Sequence, residues 1–140
     1  MFNRQINRLE AQGMSVTTVT DTTFQKEVIE ASDHKLVVVE FSTKEKVNKR
    51  GLENASAKMD AVFNKLADDY INRVVFARVE IELDPDLKDS LNPLTSAAHA
   101  INHGPTMVFF KKGQKVRDDL VGLQTDVRTT QILDELLSTS

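Results

Sequence analysis

Apolar positions follow two patterns along the chain, and these predict alternating strands and helices. Nearly continuous apolar runs at residues 36–41 and 74–81 are typical of strands that helices cover on both faces. Between these runs, apolar residues recur at three- and four-residue steps, which predicts one stripe of a long helix. The stripe comprises Leu52, Ala55, Met59, Val62, Phe63, Leu66 and Tyr70. The order strand, helix, strand favours a parallel crossover.

Shorter elements precede this unit. Phe2, Ile6 and Leu9 share one helical face, so residues 3–11 are predicted to form a short amphipathic helix that Gly13 ends. We interpret residues 1–13 as an N-terminal helical extension of the mature protein and residues 14–140 as the main domain.

The main domain is predicted to begin with a strand and a helix. The β-branched run 16–19 predicts the strand, and Asp21 is placed to cap a helix that carries Phe24, Val28 and Ile29.

The C-terminal part of the chain predicts a hairpin between helices. Residues 86–102, which Asn92-Pro93 interrupts, have a weak pattern that predicts one or two short helices. Residues 106–110 and 116–121 flank a Lys112-Gly113 turn and predict a β-hairpin. The last helix is expected to carry Val127, Leu133, Leu136 and Leu137.

Composition limits the classes of function. The 140 residues are 40% hydrophobic and 28% charged, which fits one globular domain. The net charge of −3 and the scattered basic residues argue against a nucleic-acid partner. No apolar run approaches the ~20 residues of a membrane-spanning helix, so we expect a soluble, cytoplasmic protein, with an organelle matrix as the alternative. The chain has no cysteine, which excludes disulfides, thiolate nucleophiles and thiolate metal ligands.

The segment Gly104-Pro105-Thr106 and the apolar strand after it resemble the place where a cis-proline and a threonine open a strand in the thioredoxin-like family. Val121-Gly122 is similar to the glycine before the family's last helix. Val39-Glu40-Phe41 is similar to the strand end where thioredoxins carry Asp before Phe, and residues 66–70 to the end of the helix after the active site. The resemblance implies a thioredoxin fold of the α/β class, with a mixed central sheet of about five strands flanked by helices.

The catalytic motif of that family is absent. Aligning Phe41 with the family's Phe brings residues 45–50 onto the Trp-Cys-Gly-Pro-Cys-Lys motif, with Lys46 and Lys49 at the two cysteine positions. Disulfide exchange needs a thiolate, so a redox activity is excluded. Lys44, Lys46, Lys49 and Arg50 instead lie near a predicted helix N-terminus, where an acidic peptide or a phosphate could be attracted, although a solvated charged loop is the more ordinary interpretation.

Glu40 is unusual because an ionised carboxylate in an apolar strand is costly unless it is paired or protonated. The resemblance matches Arg78 with a family lysine on the neighbouring strand, so a buried Glu40–Arg78 pair is predicted, with catalysis by Glu40 as the alternative.

Metal and cofactor sites are not indicated. His99 and His103 have the four-residue spacing of two metal ligands on one helix face, but no third ligand is evident and Gly104-Pro105 should break the helix. The motifs of nucleotide-binding loops are missing, so no cofactor is expected.

These observations favour a non-catalytic protein-interaction domain: an adaptor, a chaperone-like protein or a subunit of a larger complex. The binding groove is predicted at Gly104, Pro105 and Thr106, flanked by Lys46, Lys49 and Arg50, and Gly104 is expected to leave its backbone open to a guest protein or extended peptide. The alternative is a cysteine-independent enzyme that uses Glu40 or His103 as an acid or base in a pocket below the altered loop.

Overall fold

One mixed β-sheet organises the chain. A computed structural model describes residues 15–82 and 91–139. Its sheet has the strand order β1-β3-β2-β4-β5, and β6 also pairs with β4. The strands are β1 (Val16–Thr18), β2 (Leu36–Thr43), β3 (Val74–Ile81), β4 (Thr106–Lys111), β5 (Gln114–Lys115) and β6 (Leu120–Val121). Strands β1, β3 and β2 run parallel, whereas β4 is antiparallel to β2, β5 and β6. The α/β class and the mixed sheet predicted from the sequence are confirmed.

Helical segments connect the strands. A π-helical segment (Gln25–Glu30) continues into a 3-10 turn (Ala31–Asp33), and the α-helices are α1 (Ala55–Asp69), α2 (Pro93–Ala98) and α3 (Asp126–Ser138). The side chains of Asn54 and Thr125 cap α1 and α3 by accepting hydrogen bonds from backbone N–H groups of the first turn. Within residues 15–82 and 91–139, no helix has the length and apolar character needed to cross a membrane.

Strand β2 is buried on both faces, as its continuous apolar run predicted. Alternate side chains point to opposite sides of a strand, so the sheet has two separate cores. One core packs Leu36 and Val38 of β2 against α1 and α3. The other packs Val37, Val39 and Phe41 against the segment that carries Phe24 and Val28. The second face of the sheet is thus covered by the π-helical segment and its surroundings.

Three helix predictions need correction or qualification. Leu52 was placed on the stripe of the long helix, but α1 begins only at Ala55, because Asn54 caps it, and Leu52 is 58% exposed. Val127 lies on α3, as expected, and is 64% exposed. The predicted helix at residues 3–11 and the extension 1–13 lie outside the described residues, as does part of the segment 86–102, of which α2 is described.

Asp21 caps a different helix from the one expected. Its carboxylate accepts hydrogen bonds from the backbone N–H groups of Leu94 and Thr95 at 3.1 and 2.8 Å, and from the Thr95 hydroxyl at 2.6 Å. Its own N–H donates to the side chain of Asn92 at 3.0 Å. Asp21 therefore ties the turn after β1 to the start of α2, which a local sequence pattern does not reveal.

Removing the Asp21 carboxylate should destabilise the protein. The variant Asp21→Ala leaves two backbone donors of α2 and the Thr95 hydroxyl without their acceptor, so the free energy of unfolding should fall by about 1–2 kcal/mol in urea melts. Asp118→Ala, which removes an exposed carboxylate, is the control and should change stability much less. Equal losses in the two variants would mean that the Asp21 cap contributes nothing.

Candidate functional site

Three chain segments converge beside Pro105 at the end of the sheet. Gly104 lies against the end of β2, because a Cβ built on Gly104 would be 2.7 Å from the Thr43 side chain. Thr43 leads into the loop 44–54. On the other side, the N–H of Gly122 donates to the carbonyl oxygen of Pro105 at 2.7 Å. We call this surface the Pro105 groove and define it by residues 104–106, the loop 44–54 and the turn 121–124.

Contacts to α1 hold the groove segments in place. The N–H of Thr43 donates to the hydroxyl of Ser56 at 3.0 Å. The N–H of Gln124 points to the sulfur of Met59 at 3.4 Å. Both partners lie in the first two turns of α1, so one helix end fixes both sides of the groove.

The backbone of Gly104 is available for pairing. The peptide bond between Gly104 and Pro105 is cis, as the resemblance predicted. Within the described part of the chain, neither the N–H nor the C=O of Gly104 forms a hydrogen bond, and the residue is half-buried. The residues on both sides of Gly104 do have hydrogen-bond partners. The carbonyl oxygen of His103 accepts from the Thr106 hydroxyl at 2.7 Å, and that of Pro105 accepts from the N–H of Gly122.

The missing side chain at Gly104 has a second role, which the sequence analysis did not predict. The space that a Cβ would fill is occupied by Thr43, whose side chain and backbone nitrogen would lie 2.7 and 3.1 Å from it. Glycine at this position therefore makes room for the end of β2.

The three predicted flanking cations divide into two kinds. The ammonium of Lys46 lies 2.9 Å from Asp60 Oδ2, donates to the Ser42 hydroxyl at 2.7 Å and is 3.6 Å from Glu80. Lys46 is thus held by acids of the fold and is not free for a ligand. Lys49 and Arg50 are exposed and make no ion pair within the described residues.

Beneath the groove, Glu40 and Arg78 form the predicted pair. They face each other in the register of β2 and β3, and Arg78 Nε donates to Glu40 Oε1 at 2.7 Å. The Glu40 side chain has 0% exposure and that of Arg78 has 14%. The guanidinium also donates to the side chain of Asn64 at 2.8 Å. The pair therefore links the centre of the sheet to α1.

Asp60 completes this cluster, and the sequence analysis missed it. Its carboxylate accepts from the Ser42 hydroxyl at 2.7 Å and lies 3.5 Å from Arg78 Nε. Asp60 directly follows Met59 of the apolar stripe, and Asn64 lies one helical turn further along. These two polar residues beside the apolar stripe were the only sign of the cluster in the sequence. Their role could not be predicted, because it depends on which strand α1 covers.

Burial and the neighbouring Asp60 raise the pKa of Glu40. Desolvation is the largest cause, Asp60 adds to it and Arg78 opposes it, and together they raise the pKa of Glu40 to about 8. For Asp60, burial alone would raise the pKa, but hydrogen bonds from Glu40, Ser42 and Lys46 outweigh burial and lower it. Glu40 Oε2 is buried and has no hydrogen-bond partner in the described residues. The opposite shifts favour a protonated Glu40 beside an ionised Asp60.

The two histidines do not share a helix face. Helix α2 ends at Ala98, and His99 packs its ring against Phe24 and Phe110, with centroids 5.0 and 5.4 Å apart. Burial, followed by the nearby Lys115, lowers the pKa of His99. His103 lies beyond the helix, beside Gly104. No group of three or more His, Asp or Glu residues in the described ranges is arranged to hold a metal ion.

The titration of Glu40 should make stability depend on pH. The pKa of Glu40 rises from 4.5 to about 8 on folding, so between these pH values the folded protein keeps a proton that the unfolded chain releases. The free energy of unfolding should therefore be largest below pH 4.5 with respect to this group, and should decrease up to about pH 8 by at most ~1.4 kcal/mol per pH unit. Urea melts of the wild type and of Glu40→Gln, which cannot titrate, measure this difference at each pH.

Two further variants sharpen the Glu40 test. Glu40→Gln should be nearly as stable as the wild type near pH 4.5, because the amide mimics the protonated acid, and more stable than the wild type near pH 8. Glu40→Ala should lose about 2–4 kcal/mol by leaving Arg78 without its partner. Glu135→Gln, at an exposed glutamate of α3, is the control and should follow the wild type at every pH. A constant difference between wild type and Glu40→Gln from pH 5 to pH 8.5 would contradict the raised pKa of Glu40.

A scan against protein-family models finds none that matches the chain, and a search of curated proteins finds no matching relative. The functional argument therefore depends on the Pro105 groove and the buried cluster themselves.

Proposed function

We propose that the protein is a redox-inactive, thioredoxin-like interaction domain that binds an extended polypeptide in the Pro105 groove. In this proposal it acts as an adaptor, a chaperone-like protein or an assembly subunit. The observation that carries it is the unpaired N–H and C=O of Gly104 at the centre of a surface built by three converging segments.

The family resemblance supports this proposal through the placement of its motifs. The segments that resemble thioredoxins are far apart in sequence, yet Glu40, the Pro105 turn and the Val121-Gly122 turn lie on strands β2, β4 and β6, which are neighbours in the sheet. The order of strands and helices is compatible with this resemblance.

An extended guest fits the chemistry of Gly104. A peptide backbone that runs beside Gly104 can accept a hydrogen bond from its N–H and donate one to its C=O, as in recognition by strand addition. Such bonds give affinity without regard to the guest's sequence, and neighbouring side chains supply the specificity. Val121 and Leu123 are 58% and 47% exposed in the turn that borders Gly104 and Pro105 and provide apolar surface for guest side chains.

The buried acid favours binding over catalysis. Glu40, the acid of the alternative enzyme hypothesis, has no exposed surface, and Arg78 Nε donates to its Oε1. Glu40 affects the groove only through its neighbours in the fold. Asp60 and Ser42 hold the ammonium group of Lys46, and Lys46 lies at the start of the loop 44–54. The absence of cysteine means that a bound guest is held and not reduced.

A peptide titration tests the proposed groove. The probe is a blocked synthetic peptide that alternates valine with serine, added to isotope-labelled full-length protein and followed by NMR. The amide resonances of Gly104, Thr106 and Gly122 should shift most. Val121→Asp should weaken binding about three- to tenfold, because it places a charge on the apolar side of the groove.

The matched control replaces an equally exposed residue elsewhere. Ile71 is 57% exposed in the connection between α1 and β3, at the opposite end of β3 from the groove, so Ile71→Asp should leave the affinity unchanged. Shifts that cluster away from residues 104–106, or equal losses in the two variants, would place binding on another surface and refute the proposal.

A further inference from the structure

The loop 44–54 forms a hairpin held by its own hydrogen bonds. Val47 and Glu53 pair as an isolated bridge, and the N–H of Asn48 donates to the carbonyl of Leu52 at 2.7 Å. The Asn48 side chain accepts from the N–H groups of Arg50 and Leu52 at 2.8 and 3.1 Å. The positive φ of 78° at Gly51 is readily adopted by glycine and closes the turn. The loop is therefore fixed in one shape although it lies on the surface.

This hairpin presents cations at its tip and apolar side chains on its arms. Lys49 and Arg50 lie at the tip, whereas Val47 and Leu52 are 49% and 58% exposed beside it. The loop contains four basic and two acidic residues, and its acids, Glu45 and Glu53, lie towards its base. Since Lys46 is neutralised by Asp60 and Glu80, the charge left at the tip is positive in a chain whose net charge is −3.

We propose that the guest of the Pro105 groove is an extended segment that alternates acidic and apolar residues, with its carboxylates at Lys49 and Arg50. This inference rests on the proposed function and adds the chemistry of the guest to it. The hairpin starts at Thr43, which contacts Gly104, so a strand that pairs with Gly104 runs next to the hairpin. Successive side chains of an extended strand point to opposite sides, so its apolar residues meet Val121 and Leu123 while its acids face the tip.

The N-terminus of α1 is already capped, so we expect side chains, and not this helix end, to bind the carboxylates of the guest. The first turn of α1 already donates to Asn54, whose side chain accepts from the N–H of Ala57 at 2.9 Å. The exposed guanidinium of Arg50 can bind a carboxylate through two parallel hydrogen bonds, and the ammonium of Lys49 adds a second positive charge. Because both groups are exposed, salt should screen their attraction.

Three blocked peptides of equal length provide the test: valine alternating with aspartate, with serine and with lysine. Fluorescence anisotropy on the full chain at low salt should rank their affinities aspartate above serine above lysine, with about a tenfold advantage for aspartate over serine. The double variant Lys49→Glu/Arg50→Glu should remove this advantage by weakening the binding of the aspartate peptide. Raising the salt to about 0.5 M should shrink the aspartate advantage in the wild type.

The control variant has the same change of net charge outside the groove. Lys26→Glu/Lys35→Glu alters exposed lysines of the π-helical segment and of the turn before β2, and should keep the aspartate advantage. Equal affinity of the aspartate and serine peptides, or an equal loss in both double variants, would overturn the acidic guest and leave the groove itself standing. Failure of all three peptides to bind would refute the groove, and a preference for the lysine peptide would reverse the charge assignment.

Discussion

The buried carboxyl pair under the groove is the constraint on which the other parts depend. Glu40 lies in the middle of β2, where an ionised group would be costly, and its carboxyl group lies beside Arg78 and Asp60. Arg78 belongs to β3 and Asp60 to α1, so one cluster fixes the strand crossover and the rotation of the helix. Asp60 and Ser42 then hold Lys46, the residue from which the hairpin leaves the fold.

The surface function follows from this interior arrangement. Lys46 sits where the resemblance would place a reactive cysteine, but its ammonium is directed inward to acids and gives the loop an anchor. The same loop then turns back on itself through Asn48 and carries Lys49 and Arg50 outward. Thr43 packs against Gly104. The backbone N–H and C=O of Gly104 have no hydrogen-bond partners among the described residues. A position that serves redox chemistry in thioredoxins thus serves in our proposal to shape a binding surface.

The sequence predicted those features that follow from local pattern or from the family resemblance. The two-sided burial of β2 and the long helix required only apolar periodicity, and the contact between Glu40 and Arg78 was predicted from the resemblance. Features that depend on which elements meet were not predicted. Asp60 joins the buried cluster because α1 lies over β2, and Asp21 caps α2 because α2 starts beside the turn after β1. Leu52 lies outside α1 because Asn54 caps the helix and Ala55 begins it. Gly104 was recognised as part of the site, but the reason for glycine there became clear only from the approach of Thr43.

The most direct measurement of the central claim is a crystal structure of the full chain with the peptide that alternates valine and aspartate. The account predicts a guest strand beside Gly104, with the N–H of Gly104 donating to a guest carbonyl oxygen at about 2.9 Å. It also predicts guest carboxylates within about 4 Å of Lys49 or Arg50. A peptide seated on another surface, with the backbone of Gly104 unpaired or bonded to the protein itself, would contradict the account.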